Sequence, residues 1–180
     1  MRRATRGSAL VVALFMTACA SVPQADMPAT DPVLSGRLAV RVEATDGAAV
    51  RSENATFELV GTAEAGRLNL STPLGSVLAQ ARWSPGSVVM ATPQGERAFA
   101  DLDTMIREVL GERVPVAALF DWLRGRPWPA AASVVSADPV APGFTQLGWA
   151  VSLARFDQGW VVATRAGAPA VTVRARLDPH

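Results

Sequence analysis

Apolar side chains recur at every second position along much of residues 37–100, switch to a spacing of three and four over 102–123, and return to every second position after 146. A period of two puts alternate side chains on opposite faces of a strand, whereas a period of 3.6 gathers them along one side of a helix. The pattern predicts an antiparallel meander, two amphipathic helices, and then more strands. The first strand shows it most simply: Leu38, Val40 and Val42 alternate with Arg37, Ala39, Arg41 and Glu43. After a turn over residues 44–49 containing Asp46-Gly47, Ala55, Phe57 and Leu59 continue the alternation up to Gly61. Next comes a hairpin with one apolar side. Leu68 and Leu70 share a face of one strand, and Val77 and Ala79 share a face of the next.

The turn of that hairpin is Pro73-Leu74-Gly75. Pro73 and Gly75 suit the backbone angles of a turn, but Leu74 places a large apolar side chain where Asn, Asp or Ser is usual. Either Leu74 folds back onto the core or it is held out as an apolar tip. Val77, Ala79, Ala81 and Trp83 lead to a Ser84-Pro85-Gly86 turn, and strands around 88–91 and 97–100 flank a Thr92-Pro93-Gln94-Gly95 turn.

In the first helix Leu102, Met105, Ile106, Val109 and Leu110 form the apolar stripe, with Asp101 as N-cap and Gly111 as stop. The second helix begins at Pro115 and sets Val116, Leu119, Phe120 and Leu123 on one face, with Trp122 and Trp128 at its end, before Gly125 and Pro127. Residues 129–143 carry no period and read as loop. Strands are then predicted over 146–153, with Trp149 and Val151 inward, over 159–164 and over 170–177.

With 180 residues, 49% of them hydrophobic, the chain is long enough for one domain with a sizeable core. Its 17 basic residues are all Arg, against 16 acidic ones, without a basic stripe, so nucleic acid is not an expected partner. The only His is His180 and the only Cys is Cys19. This leaves no material for a His- or Cys-based metal site or catalytic dyad in the body of the chain, and no cofactor is expected. Asp101 and Asp103 read as helix-start charges rather than a catalytic pair. An enzyme is disfavoured; a hydrolase working through carboxylates stays open as a rival.

Arg2, Arg3 and Arg6 precede an apolar run, Ala9 to Met16, that is too short to remain as a membrane span. Met16-Thr17-Ala18-Cys19 resembles the bacterial lipobox, which implies a signal peptide over 1–18 and acylation of Cys19. Cleavage there removes three Arg and leaves a net charge of about −2 (14 basic against 16 acidic residues). Ala20 after the cysteine resembles the outer-membrane default. Residues 19–32, polar and aperiodic, read as a flexible tether to a domain over 33–180.

Four short motifs follow in order behind this lipobox. They are Leu70-Ser71-Thr72-Pro73-Leu74-Gly75-Ser76; Leu110-Gly111 with Val114-Pro115; Leu119 and Trp122 with Gly125-Arg126-Pro127; and Gln146-Leu147-Gly148-Trp149. Together they resemble the LolB family of outer-membrane lipoprotein receptors, over roughly residues 34–173. The resemblance implies an open antiparallel half-barrel of about ten to eleven strands, mainly β, enclosing an apolar cavity covered by α-helices. It implies a lipid-anchored, monomeric protein on the periplasmic face of the outer membrane. Its partners would be a LolA-like periplasmic carrier, the acyl chains of lipoproteins and outer-membrane lipid. Cargo would be taken from the carrier into the cavity and inserted into the membrane, with Pro73, Leu74 and Gly75 as the insertion loop.

On this reading the cavity is lined from the sheet by Leu38, Val40, Phe57, Leu59, Leu68, Leu70, Val77, Trp83, Trp149 and Val151. Met105, Ile106, Val109, Leu119, Phe120 and Trp122 line it from the helices. Sequence alone leaves open whether these residues wall a cavity or fill a closed core, and whether the chain is instead an assembly lipoprotein that binds a protein partner without lipid cargo.

Overall fold

A computed structural model describes residues 33–44 and 49–179. The expected signal peptide, Cys19, the tether and most of the turn over 44–49 lie outside those residues.

Eleven strands form one antiparallel sheet. The first six are β1 (Leu34–Val42), β2 (Arg51–Gly61), β3 (Gly66–Ser71), β4 (Val77–Ser84), β5 (Ser87–Thr92) and β6 (Gly95–Phe99). After the helices α1 (Leu102–Leu110) and α2 (Val116–Trp122) come β7 (Ser133–Val135), β8 (Gly143–Gln146), β9 (Trp149–Ser152), β10 (Trp160–Arg165) and β11 (Val171–Leu177). The spatial order is β6-β5-β4-β3-β2-β1-β11-β10-β9-β8-β7, so the last strand pairs with the first and the two edges, β6 and β7, stay unpaired. This is the open half-barrel with a helical cover. Two meanders are joined at β1–β11, where Val40 faces Val173 and Val42 faces Val171 in the ladder.

The helices form where the period changes. Asp101 is the N-cap of α1: its carboxylate accepts from the Thr104 N–H at 2.6 Å, which holds its pKa below the usual value. Gly111 closes the helix in the left-handed conformation, φ 71°. Pro115 stands one position before α2, which has no side-chain cap. At nine and seven residues both helices are too short to persist alone, so packing on the sheet holds them.

Three local expectations are corrected. The strand expected over 146–153 is a hairpin of β8 and β9: Leu147 (φ 52°) and Gly148 (φ 77°) form a two-residue turn, with Gln146 paired to Trp149. Two positive φ angles are what such a turn needs, but a Leu in the first position hid it. Within the stretch read as loop, Ser133–Val135 forms β7, a short edge strand exposed on both faces and therefore without alternation. The β3–β4 ladder pairs Leu70 with Ala79 but Ser71 with Val77, leaving Leu78 as a bulge. An inserted residue reverses the facing of those before it, so Val77 points away from the side that carries Ala79.

Candidate functional site

Two apolar clusters fill the concave side of the sheet, and α2 divides them. Ala118 and Trp122, four residues apart, face β8–β11 together with Phe144, Trp149, Val151 and Val171. Phe120 and Leu123 face β2, β4 and β5 together with Phe57, Leu59, Trp83 and Met105. The first cluster is tightly closed. Trp122 is fully buried, its ring lies 6.1 Å from that of Trp149 and 6.3 Å from that of Phe144, and its Nε1–H donates to Gln146 Oε1 at 2.8 Å. The same oxygen accepts from the Trp128 N–H at 2.9 Å, and Gln146 Nε2 donates to the carbonyls of Trp128 and Ala131. Gln146 thereby fastens the end of α2 and the chain after it to β8. It is the one buried polar residue among those described, and an alternation pattern gives it no signal.

The second cluster is incompletely filled. Between the sheet and the two helices lies a cavity of about 100 Å³ whose fifteen lining residues are all apolar. The only polar group of the Trp83 side chain, Nε1–H, donates to the Thr62 carbonyl at 2.9 Å. The cavity can thus hold hydrocarbon but offers no hydrogen bond to anything polar.

Ten of the sixteen side chains expected at a cavity wall meet here: Leu38, Val40, Phe57, Leu59, Leu68, Trp83, Met105, Ile106, Leu119 and Phe120. Six do not. Trp122, Trp149 and Val151 belong to the closed cluster, because Trp122 is drawn to Gln146 and not toward β4. Leu70 packs at the margin of the cavity cluster without lining the cavity. Val77 is turned outward by the bulge, and Val109, in the last turn of α1, is 48% exposed. Five further residues complete the wall: Leu102, Val114, Val116, Leu123 and Val173. Four of these continued the apolar faces already read for their elements; Val114, between the helices, gave no periodic signal.

The link between the helices is clamped to the sheet. Arg165 on β10 pairs with Glu112 at 2.7 Å and donates to the Arg113 carbonyl at 2.9 Å, and its guanidinium lies 5.6 Å from the Trp149 ring centroid. At its other side α1 meets β6 through the exposed pair Arg97–Glu108, which contributes little, and through Phe99 in the apolar cluster of Met105.

Leu74 is at the far end of the β3–β4 hairpin and is 96% exposed. The Gly75 N–H donates to the Thr72 carbonyl at 2.9 Å, which closes a turn with Pro73 and Leu74 at its corners, and Gly75 follows at φ 87°. Ser76 donates back to the Thr72 hydroxyl at 3.1 Å. Half-exposed Val77 and Leu78 extend the apolar surface behind it. The loop is therefore internally braced while its leucine touches nothing in the core.

The sequence pattern of the family described as Outer membrane lipoprotein LolB matches residues 33–175, nearly all of the described domain. The chain belongs to the LolB family. It is similar to the outer-membrane lipoprotein LolB of Bordetella pertussis, 33% identical over 172 residues that cover 91% of this chain and 81% of that protein. The LolB proteins of Dechloromonas aromatica (32% over 160 residues, 85% and 83% covered) and Cupriavidus metallidurans (29% over 175 residues, 94% and 84% covered) are similar along the same length. LolB membership puts the chain among outer-membrane lipoproteins and agrees with the open sheet and helical cover described above.

Proposed function

We propose that this protein receives the acyl chains of newly exported lipoproteins from a LolA-like periplasmic carrier and releases those lipoproteins into the outer membrane. The observation that carries the proposal is the wholly apolar cavity under two short helices in a LolB-family domain. At about 0.8 kcal/mol per CH₂, exposing one long acyl chain to water costs on the order of 10 kcal/mol, so such cargo moves from one apolar enclosure to another. Apolar walls suffice for that task, which needs no catalytic group. Sites for ligands of ordinary size measure roughly 300–1,000 Å³, so the cavity must widen to take an acyl chain. The yielding layer is α1: the loop after it is held by Arg165, whereas α1 itself is two and a half turns long and held by packing.

On the same proposal Cys19 carries the lipid anchor, residues 19–32 form the tether, and Pro73, Leu74 and Gly75 touch the bilayer during release. The protein acts as a monomer. Incubating a carrier loaded with a radiolabelled lipoprotein with vesicles that bear this chain should move the label into the vesicles. No movement beyond that of empty vesicles would reject the receptor role. For the anchor, Cys19→Ala should shift the protein from the outer-membrane fraction to a soluble or inner-membrane fraction; unchanged outer-membrane association contradicts it.

A further inference from the structure

The outer face of the sheet carries a charge cluster with no part in cavity or tip. Arg37 on β1 stands directly opposite Arg176 on β11 in the ladder, and Arg174 precedes Arg176 by two residues on the same face. Opposed like charges destabilise a strand pair, so their juxtaposition calls for a counter-charge. Part of the relief comes from Trp160, whose ring centroid is 5.7 Å from the Arg176 guanidinium and 4.9 Å from that of Arg155. Six other arginines are paired with carboxylates, but among the described residues none of these four is. All four line one depression of about 500 Å³ that contains no carboxylate. Asp157 and Asp178 lie in the adjoining depression, which shares Arg37 and Arg176, and neither forms an ion pair with them; Asp178 accepts from the Ser35 hydroxyl at 2.9 Å.

One wall of the arginine depression is Pro73, the residue before Leu74. A basic surface is therefore continuous with the most exposed apolar side chain in the described domain. We propose that the depression docks on the phosphate groups of anionic phospholipids, so that arginines meet the headgroups while Leu74 reaches the acyl boundary beside them. Guanidinium forks match phosphate oxygens two at a time, and a basic surface bordering an apolar tip matches the layering of a leaflet. The inference rests on the reading of Leu74 as a membrane contact and adds a second, electrostatic contact to it.

The test uses the chain without its expected signal peptide, residues 19–180, carrying Cys19→Ala so that no acyl anchor is added, and flotation with vesicles of phosphatidylcholine alone or mixed with phosphatidylglycerol. Binding should be stronger to the mixed vesicles and weaken with added salt. At about fivefold per arginine near an anionic leaflet, Arg37→Gln with Arg176→Gln should lower binding to the mixed vesicles by about 25-fold and leave binding to the neutral ones unchanged. Arg155→Gln with Arg174→Gln carries the same expectation should the first pair fail to fold. Equal binding to both vesicles, or a folded double variant that floats like its parent, overturns the proposal and leaves the arginines to an acidic protein surface. Leu74→Ser, which removes the apolar side chain without adding charge, separates the two readings: it should weaken binding to both vesicles alike, and if it does not while the anionic preference persists, only the tip reading fails.

Discussion

Gln146→Leu should lower stability by about 2–4 kcal/mol, the largest loss expected from any single polar residue in this domain. The side chain is 2% exposed and makes four hydrogen bonds, to the Trp122 indole, the Trp128 N–H and the carbonyls of Trp128 and Ala131. Leucine fills the space and satisfies none of them. The fully buried indole N–H has no other acceptor within reach among the described contacts and loses its partner outright, whereas the half-buried groups of Trp128 and Ala131 regain water in part. For a domain of this length the melting temperature should fall by roughly 5–15 °C. Trp122→Phe removes the donor, so the two changes together should cost less than the sum of the singles. Thermal melts of the three variants check this, and additive losses, or a Gln146→Leu loss under about 1 kcal/mol, contradict the role given to Gln146.

Leu74→Glu should have the opposite profile: an unchanged melting curve and a large loss of delivery. Nothing in the core contacts Leu74, and the turn is closed by main-chain and Thr72 hydrogen bonds that the substitution leaves in place. Burying one leucine contributes about 1.5–3 kcal/mol, too little to anchor a domain but enough to change the rate of a step that needs the contact by on the order of 10- to 100-fold. A carboxylate there resists leaving water, so cargo should still be captured but pass slowly into the bilayer. The paired readouts are a melt and a transfer assay. A destabilised variant rejects the exposed tip, and a stable one with normal delivery rejects its part in release.

Much of the scaffold was legible because burial on one face imposes a period. The α1 limits followed from Asp101, the stripe through Met105 and Ile106, and Gly111; β1, β2 and β11 followed from alternation, and β10 from the apolar run beginning at Trp160. Reading failed where a local device overrode the period. The bulge at Leu78 reversed Val77, and a turn built on Leu147 in place of Asn disguised the β8–β9 hairpin. For the site, periodicity identified which side chains point inward but not which of two inward compartments they enter. Trp122, Trp149 and Val151 were rightly inward and belong to the closed cluster, since the choice is made by Gln146, a contact across 24 positions of sequence. Composition leaves Leu74 undecided between core and surface, and its exposure puts it outside the core.

Entry of hydrocarbon into the space beneath α1 and α2 is measured by equilibrium binding of a fluorescent fatty acid, followed in parallel on the parent protein and on Leu119→Glu. Leu119 lines the cavity but is only partly buried, so a glutamate can reach water and leave the fold intact while denying the cavity to an acyl chain. Saturable binding to the parent, reduced at least about tenfold in a variant that still melts cooperatively, is the predicted result. Absence of binding to the parent, or equal binding to a folded Leu119→Glu, would contradict it.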